Sequence, residues 1–250
     1  GIDTLTLQPG EEQQRLWVFQ TDEKGQKTIT IADQQGKYLV YDQALEALLF
    51  GGPNLEVGSN GLLVDKTPFA NEANVKGLAF SPKDQLFTLD SQRYVSWKEN
   101  SVVDAIDTRM TITLWVKAQA PAAGLVDIFS KGDQHVLQLV DGKKLNFFAG
   151  GWGRGECTTE LPADWYGKWH HVAGVCDGKN LYLYIDGTLK ERLAVAPDVS
   201  LANNNRWQLG QNEEFPGERI YQGLAKNVMV FAESLSSAEI AQMADGERHD

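Results

Sequence analysis

Short apolar runs that alternate with polar residues at a period of two recur along the chain, and Gly, Asn, Asp and Pro clusters punctuate them. The clearest case is residues 165–187, WYGKWHHVAGVCDGKNLYLYIDG. His171, Ala173 and Val175 fall on one side of an extended strand, and His170, Val172 and Cys176 on the other. Asp177-Gly178 ends that strand. Asp-Gly readily takes the positive φ angles of a type I′ hairpin turn, so residues 181–185 should fold back antiparallel. Leu181, Leu183 and Ile185 share one face, Tyr182 and Tyr184 the other, and Asp186-Gly187 supplies a second reversal. A strand covered on both faces is how an inner strand of a two-sheet sandwich reads.

The same pattern predicts strands near 86–90, 93–97, 110–117, 125–130, 135–140, 144–149 and 156–161 before this segment. After it, strands are expected near 189–195, 206–210 and 220–231. Asp141-Gly142 gives a further hairpin turn between the fifth and sixth of these. The chain closes on a helix: Ser236 and Glu239 form a Ser-x-x-Glu capping box, Ile240 and Met243 give an apolar side, and Asp245-Gly246 stops it. Near the start, Leu5-Thr6-Leu7, Leu16-Trp17-Val18-Phe19, Thr28-Ile29-Thr30-Ile31 and Tyr38-Leu39-Val40-Tyr41 read as a β meander. Its turns are Pro9-Gly10, Glu23-Lys24-Gly25 and Gln35-Gly36. Asp42 followed by residues 43–50 and Gly51-Gly52 predicts one or two helical turns. Residues 51–74, rich in Gly, Asn and Pro, read as a linker or loop. The expected architecture is all-β: a two-sheet antiparallel jelly-roll sandwich over residues 77–250 with a short C-terminal helix, preceded by a β-rich extension over 1–76.

Several of these stretches, in this order, resemble the laminin G-like jelly-roll domains of the concanavalin A-like lectin and glucanase superfamily. The Trp-His-His-Val-Ala strand, the Asp-Gly turn and Leu181-Tyr182-Leu183-Tyr184-Ile185-Asp186-Gly187 are similar to the family's central motif. Phe87-Thr88-Leu89-Asp90 with Tyr94-Val95 resembles its opening strand pair. MTITLWVK (110–117), Phe129-Ser130-Lys131-Gly132-Asp133, Trp207-Gln208-Leu209-Gly210 and the closing 222–243 match as well, so the resemblance covers roughly residues 80–246. In the first 76 residues, 16–39 are similar to one repeat of ricin-type trefoil lectins. Asn60-Gly61-Leu62 with Asp65-Lys66-Thr67-Pro68 is similar to a segment that follows the barrel of family 2 glycoside hydrolases. The resemblance implies an accessory module of a bacterial carbohydrate-active protein that is secreted, periplasmic or at the cell surface. Its implied partner is a glycan or a catalytic domain of the same parent protein.

Charge narrows the partners. A net charge of −11 argues against a phosphate backbone, which draws on clustered Lys and Arg. No apolar run approaches the roughly 20 residues of a membrane span. The chain opens at Gly1 with no leader in the sequence given.

The chemistry expected is binding, without catalysis; the alternative is a structural or protein-interaction domain that packs against the catalytic part of a larger, family 2 β-galactosidase-like glycoside hydrolase. Glucanases of the superfamily carry Glu-x-Asp-x-Glu on one strand, which aims a nucleophile and an acid at one sugar face; no such run is present, and Glu213, Glu214 and Glu218 surround Phe215-Pro216-Gly217 as a solvated loop. His170 and His171, adjacent on a strand, point to opposite faces and serve packing or hydrogen bonding. Sugar binding draws on aromatic rings framed by polar groups. The loop Gly150-Gly151-Trp152-Gly153-Arg154-Gly155-Glu156 and the pair Trp165-Tyr166 therefore give Trp152, Arg154, Trp165 and Tyr166 as candidate carbohydrate-binding residues on one exposed platform. The alternative is that Trp152 and Trp165 fold back over the sandwich edge. Trp115, Trp169 and Trp207 read as core. Cys157 and Cys176 flank a turn; if their strands pair as a hairpin a disulfide can form, and a one-residue change of register leaves two free thiols. No cofactor is expected. The resemblance raises a structural calcium, but Gly223-Leu224-Ala225-Lys226-Asn227-Val228 has Ala and Lys where the family's closing motif has two acids, which leaves Asp104, Asp107 and Asp133 as the alternative.

Overall fold

The computed structural model describes residues 25–31, 34–40, 48–51, 55–67, 69–99, 106, 108–196 and 200–245. The chain forms two compact units, Gly1–Asp42 and Gln43–Asp250. In the first, β1 (Gly25–Ile31) and β2 (Gln34–Val40) pair antiparallel. Gln35 and Gly36, expected in a turn, lie within β2 opposite Thr30 and Ile29. The strands expected at residues 5–7 and 16–19 lie outside the described residues.

The second unit continues with β3 (Leu48–Gly51), β4 (Glu56–Val57), β5 (Leu63–Val64), β6 (Glu72–Val75), β7 (Phe80–Ser81), β8 (Leu86–Leu89) and β9 (Val95–Trp97). Next come β10 (Met110–Ala118), β11 (Leu125–Lys131), β12 (His135–Val140), β13 (Lys144–Ala149) and β14 (Cys157–Glu160). The chain ends with β15 (His170–Cys176), β16 (Asn180–Ile185), β17 (Thr188–Ala194), β18 (Trp207–Leu209), β19 (Gly223–Phe231) and helix α1 (Ser237–Asp245). Sheet I has the order β17-β16-β15-β10-β19-β8-β7, with β3 also paired to β19; sheet II has the order β14-β13-β12-β11-β18-β9-β6-β5-β4. This is a jelly-roll sandwich with one C-terminal helix.

Period-two patterning fills the space between the sheets. Ile112, Leu114, Val172, Leu181 and Leu183 of sheet I meet Val95, Phe129, Leu137, Phe147 and Leu209 of sheet II, all essentially inaccessible. Each such side chain contributes about 1.5–3 kcal/mol. Gly174 has no side chain because the Phe147 ring occupies the place where a Cβ would project. On the outer face of sheet I, Ala173, Val175, Tyr184 and Phe231 form a second cluster with Leu235 and with Ile240 of α1. The capping box forms as expected: Ser236 N–H donates to Glu239 Oε2 (2.7 Å), and Glu239 N–H donates to Ser236 Oγ (3.3 Å).

Five expectations change here. The helical turns expected over residues 43–50 give way, at 48–51, to strand β3 alongside β19. Residues 51–74, expected as a linker, supply β4, β5 and β6 of sheet II, so the sandwich reaches back past the boundary expected at 76/77. Asp65 organises that hairpin, since its carboxylate accepts from Thr67 N–H, Asn71 N–H and Asn71 Nδ2. The supposed opening pair, β8 and β9, belongs to different sheets, and the Asp90 to Arg93 turn carries the chain between them. Finally, Asp141-Gly142 and Asp186-Gly187 have positive φ at both positions, but Asp177-Gly178 only at Gly178. There the Asp177 carboxylate accepts Lys179 N–H and Asn180 N–H and makes a longer reversal than type I′.

Candidate functional site

Trp152 stands at the tip of the Gly-rich loop between β13 and β14, 64% exposed, in a single 3-10 turn over Trp152–Arg154. Gly151 and Gly155 bracket the turn with φ of 89° and 109°, which L side chains avoid. The base of the loop is pinned by Gly151 N–H to Gln134 O (2.9 Å) and Gly150 N–H to His135 Nδ1 (3.2 Å). His135 Nε2 lies 2.9 Å from Leu201 O, so the neutral imidazole donates there and accepts from Gly150. Burial lowers its pKa to about 4, which keeps that arrangement at neutral pH.

The indole is tied to the outer face of sheet II. Its Nε1–H donates to Glu156 Oε2 (3.2 Å), which also accepts Asn146 Nδ2 (2.6 Å). Asn146 Nδ2 reaches Thr158 Oγ1 (2.9 Å), and Asn146 Oδ1 accepts Gln138 Nε2 (3.1 Å). Register makes this a row: Asp127 pairs with Gln138, Gln138 with Asn146, and Asn146 with Thr158, so four adjacent strands contribute polar side chains to one face. Asp127, Gln138 and Asn146 are 0–3% exposed. Gln138 Oε1 and Asp127 Oδ1 are buried acceptors with no donor among the described residues. Burial raises the Asp127 pKa to about 6, against the lowering effects of Asn212 and Arg219.

The loop between β18 and β19 crosses the Asp127 end of this row. Asn212 Nδ2 donates to Asp127 Oδ2 (2.8 Å) and to Gly132 O (3.1 Å), and Ser130 Oγ donates to Gln211 O (3.0 Å). Arg219 lies over the Phe215 ring at 3.4 Å and donates to Asp133 Oδ1 (3.1 Å). Two acids of this loop bond within the chain, Glu213 accepting Arg206 N–H and Glu214 accepting Asn205 Nδ2, while Glu218 is exposed.

The four candidate residues do not converge. Arg154 turns its guanidinium inward, toward Ala196 O (2.7 Å), Ala149 O and Gly178 O (both 3.4 Å), and braces the loop. Trp165 is 1% exposed and stacks on His170 at 4.9 Å, so it is a core residue and takes no part in a platform. Tyr166 is half-buried and donates its hydroxyl to Gly142 O (2.8 Å), at the end of β13 opposite the Trp152 loop. Six strand residues span roughly 20 Å. The cause is topological: β14 pairs with β13 while β15 pairs with β10 and β16, so residues 161–169 cross between sheets and Trp165 plugs the crossing.

The same crossing removes the disulfide. Cys157 lies on sheet II and Cys176 on sheet I, and both are buried free thiols; burial pushes the Cys157 pKa up to about 12 and raises that of Cys176 too. His170 bonds Asp186 Oδ2 (2.8 Å) and His171 lies 2.6 Å from Thr113 Oγ1, the hydrogen-bonding roles expected of them. Trp115 and Trp207 are buried, while Trp169 is half-buried beside the Lys226 ammonium, 5.2 Å from its ring. That ammonium and the buried Ala225 do not fit a calcium site at the closing motif. Asp133 is engaged by Arg219, and Asp104 and Asp107 lie outside the described residues.

The residues that sequence reasoning missed are Asp127, Gln138, Asn146, Glu156 and Thr158. One signal was available, because Gln138 and Asn146 are equidistant from Gly142 and a reversal centred on that glycine places them opposite each other.

The chain belongs to a laminin G-type family of the concanavalin A-like lectin/glucanases superfamily, whose profile matches residues 89–241. Sequence comparison with curated proteins gave no match. Among solved structures, it is similar to the binding domain of botulinum neurotoxin DC in complex with rat synaptotagmin II (16% identity, TM-score 0.62, 82% of this chain and 52% of that one). The same domain in complex with SialylT matches with 16% identity, TM-score 0.60 and the same coverage. The botulinum neurotoxin serotype G binding domain matches with 15% identity and TM-score 0.62, over 76% of this chain and 49% of that one. This chain thus spans about half the length of these domains, and the likeness is one of fold.

Proposed function

We propose that this chain is a non-catalytic carbohydrate-binding module that takes sugar on the Trp152 side of sheet II. The observation that carries this is the Trp152 indole: 64% exposed, yet fixed by Glu156 and by a glycine loop that Arg154 and His135 brace. A large ring held in place at the surface loses little conformational entropy on binding and presents an apolar face to a pyranose ring. Botulinum neurotoxin binding domains with this fold have been seen in complex with SialylT and with synaptotagmin II, which supports a binding role for the scaffold. The parent is a secreted or cell-surface carbohydrate-active protein, a reading that rests on the family and on the short likeness of residues 60–68 to family 2 glycoside hydrolases. Calorimetric titration of glycans retained on an array, with Trp152→Ala beside the native chain, tests the proposal. Binding that the substitution weakens about 30-fold is expected, whereas an array on which the native chain retains nothing overturns it. Turnover of aryl-glycosides by the isolated chain would overturn the non-catalytic part.

A further inference from the structure

We infer that the site selects neutral or amino-substituted sugars and rejects acidic ones, an inference that rests on the Trp152 face being the glycan site. At the edge of the indole stands Glu156, exposed, whose Oε2 is engaged by two neutral donors, Trp152 Nε1–H and Asn146 Nδ2. Neither donor cancels its charge. Behind it the row has committed its amide donors to one another: Asn146 Nδ2 to Glu156 and Thr158, and Gln138 Nε2 to Asn146.

Three cations on this side of the molecule are engaged elsewhere. Arg154 points its guanidinium into the chain at three carbonyls, Arg219 serves Asp133, and Lys144 faces Glu160 at 3.6 Å. A carboxylate or sulfate on a sugar stacked at Trp152 would therefore meet the Glu156 charge at close range. An ammonium in the same position would meet an attractive one. Two unit charges about 4 Å apart in water-like surroundings change affinity by about fivefold, so amino and acidic versions of one backbone should differ by about 25-fold at low salt.

The test is a charge series on one backbone run beside a wider array: cellohexaose, a chitosan hexamer and a hexamer oxidised to glucuronate, together with neutral, amino, sialylated and sulfated glycans. Titrations at 20 mM and 300 mM salt, with the native chain, Glu156→Gln and Trp152→Ala, separate the outcomes. Neutral and amino glycans should be retained and acidic ones absent or about fivefold weaker. The amino advantage should shrink at 300 mM salt, and Glu156→Gln should remove both the advantage and the penalty. Acidic glycans bound as well as their neutral counterparts, through Trp152, would overturn the selectivity and leave the glycan site standing. No glycan retained, or retention unchanged by Trp152→Ala, would overturn the site and the selectivity together.

Discussion

Beneath α1 the outer face of sheet I is apolar, with Ala173, Val175, Tyr184 and Phe231 packed under Ile240, while farther along the same face Thr113 and His171 bond each other. The outer face of sheet II sets Asp127, Gln138 and Asn146 side by side at 0–3% exposure and leaves two of their oxygens without donors. Both faces are built on antiparallel strands of similar length, so the contrast is in side chains. Burying apolar groups under a helix is the inexpensive way to stabilise a sheet, while burying polar groups costs stability unless each is paired. A sheet selected for stability alone would have two faces like the first. The second face, with an indole fixed at its rim, is arranged for something other than holding the fold together.

Four substitutions and a change of pH can break or sharpen that contrast. Among substitutions the largest effect should come from Ile240→Ala, which opens a cavity under α1: about 3 kcal/mol of stability lost in urea unfolding, with glycan affinity unchanged at temperatures where the variant is folded. Acid comes next. Burial lowers His135 and His171 to about 4 from an ordinary 6.5. The unfolded chain therefore takes up protons first, and the stability these groups leave intact above pH 6.5 is lost as pH falls toward 4, by roughly 3 kcal/mol per histidine. Asp127, raised to about 6 from 3.8, has the opposite sign: its contribution is greatest below pH 3.8 and is lost as pH rises through 6. Asp127→Asn should accordingly gain stability relative to the native chain at pH 7 and not at pH 4. Unfolding curves at the two pH values check both statements.

Trp152→Ala should separate the faces most cleanly. Its effect is about 2 kcal/mol in binding and less than 0.5 kcal/mol in stability, because the ring is largely exposed. The smallest effect is expected of Ser236→Ala, which removes the cap of α1 for about 1 kcal/mol of thermal stability and nothing in affinity.

Much of sheet I was legible in the sequence. The alternation from His170 to Ile185 assigned each side chain to the face it occupies, and the capping box placed α1 to within a residue. What failed was pairing over distance. Cys157 and His170 flank what looked like one hairpin turn, yet their strands lie in different sheets, and this one error produced both the supposed disulfide and the supposed Trp152–Trp165–Tyr166 platform. Residues 48–75 were hidden for another reason. Strands of two to four residues are too short to show a period, and β3 to β6 are defined by the neighbours they pair with. The polar row was the least visible part, since Asp127 reaches Gln138 past a bulge between Asp127 and Phe129 that local patterning does not reveal.

The central claim, that the polar face and not the helix-covered one meets the ligand, can be read from indole resonances. The seven tryptophans each give an Nε1–H signal in a 15N-correlated spectrum, and the Trp152→Ala spectrum assigns that of Trp152. On adding the tightest-binding array glycan, the Trp152 signal and the side-chain amides of Asn146 and Gln138 should shift together while Trp115 and Trp169 stay in place. Shifts at Trp115 and Trp169 with Trp152 unmoved would contradict the account.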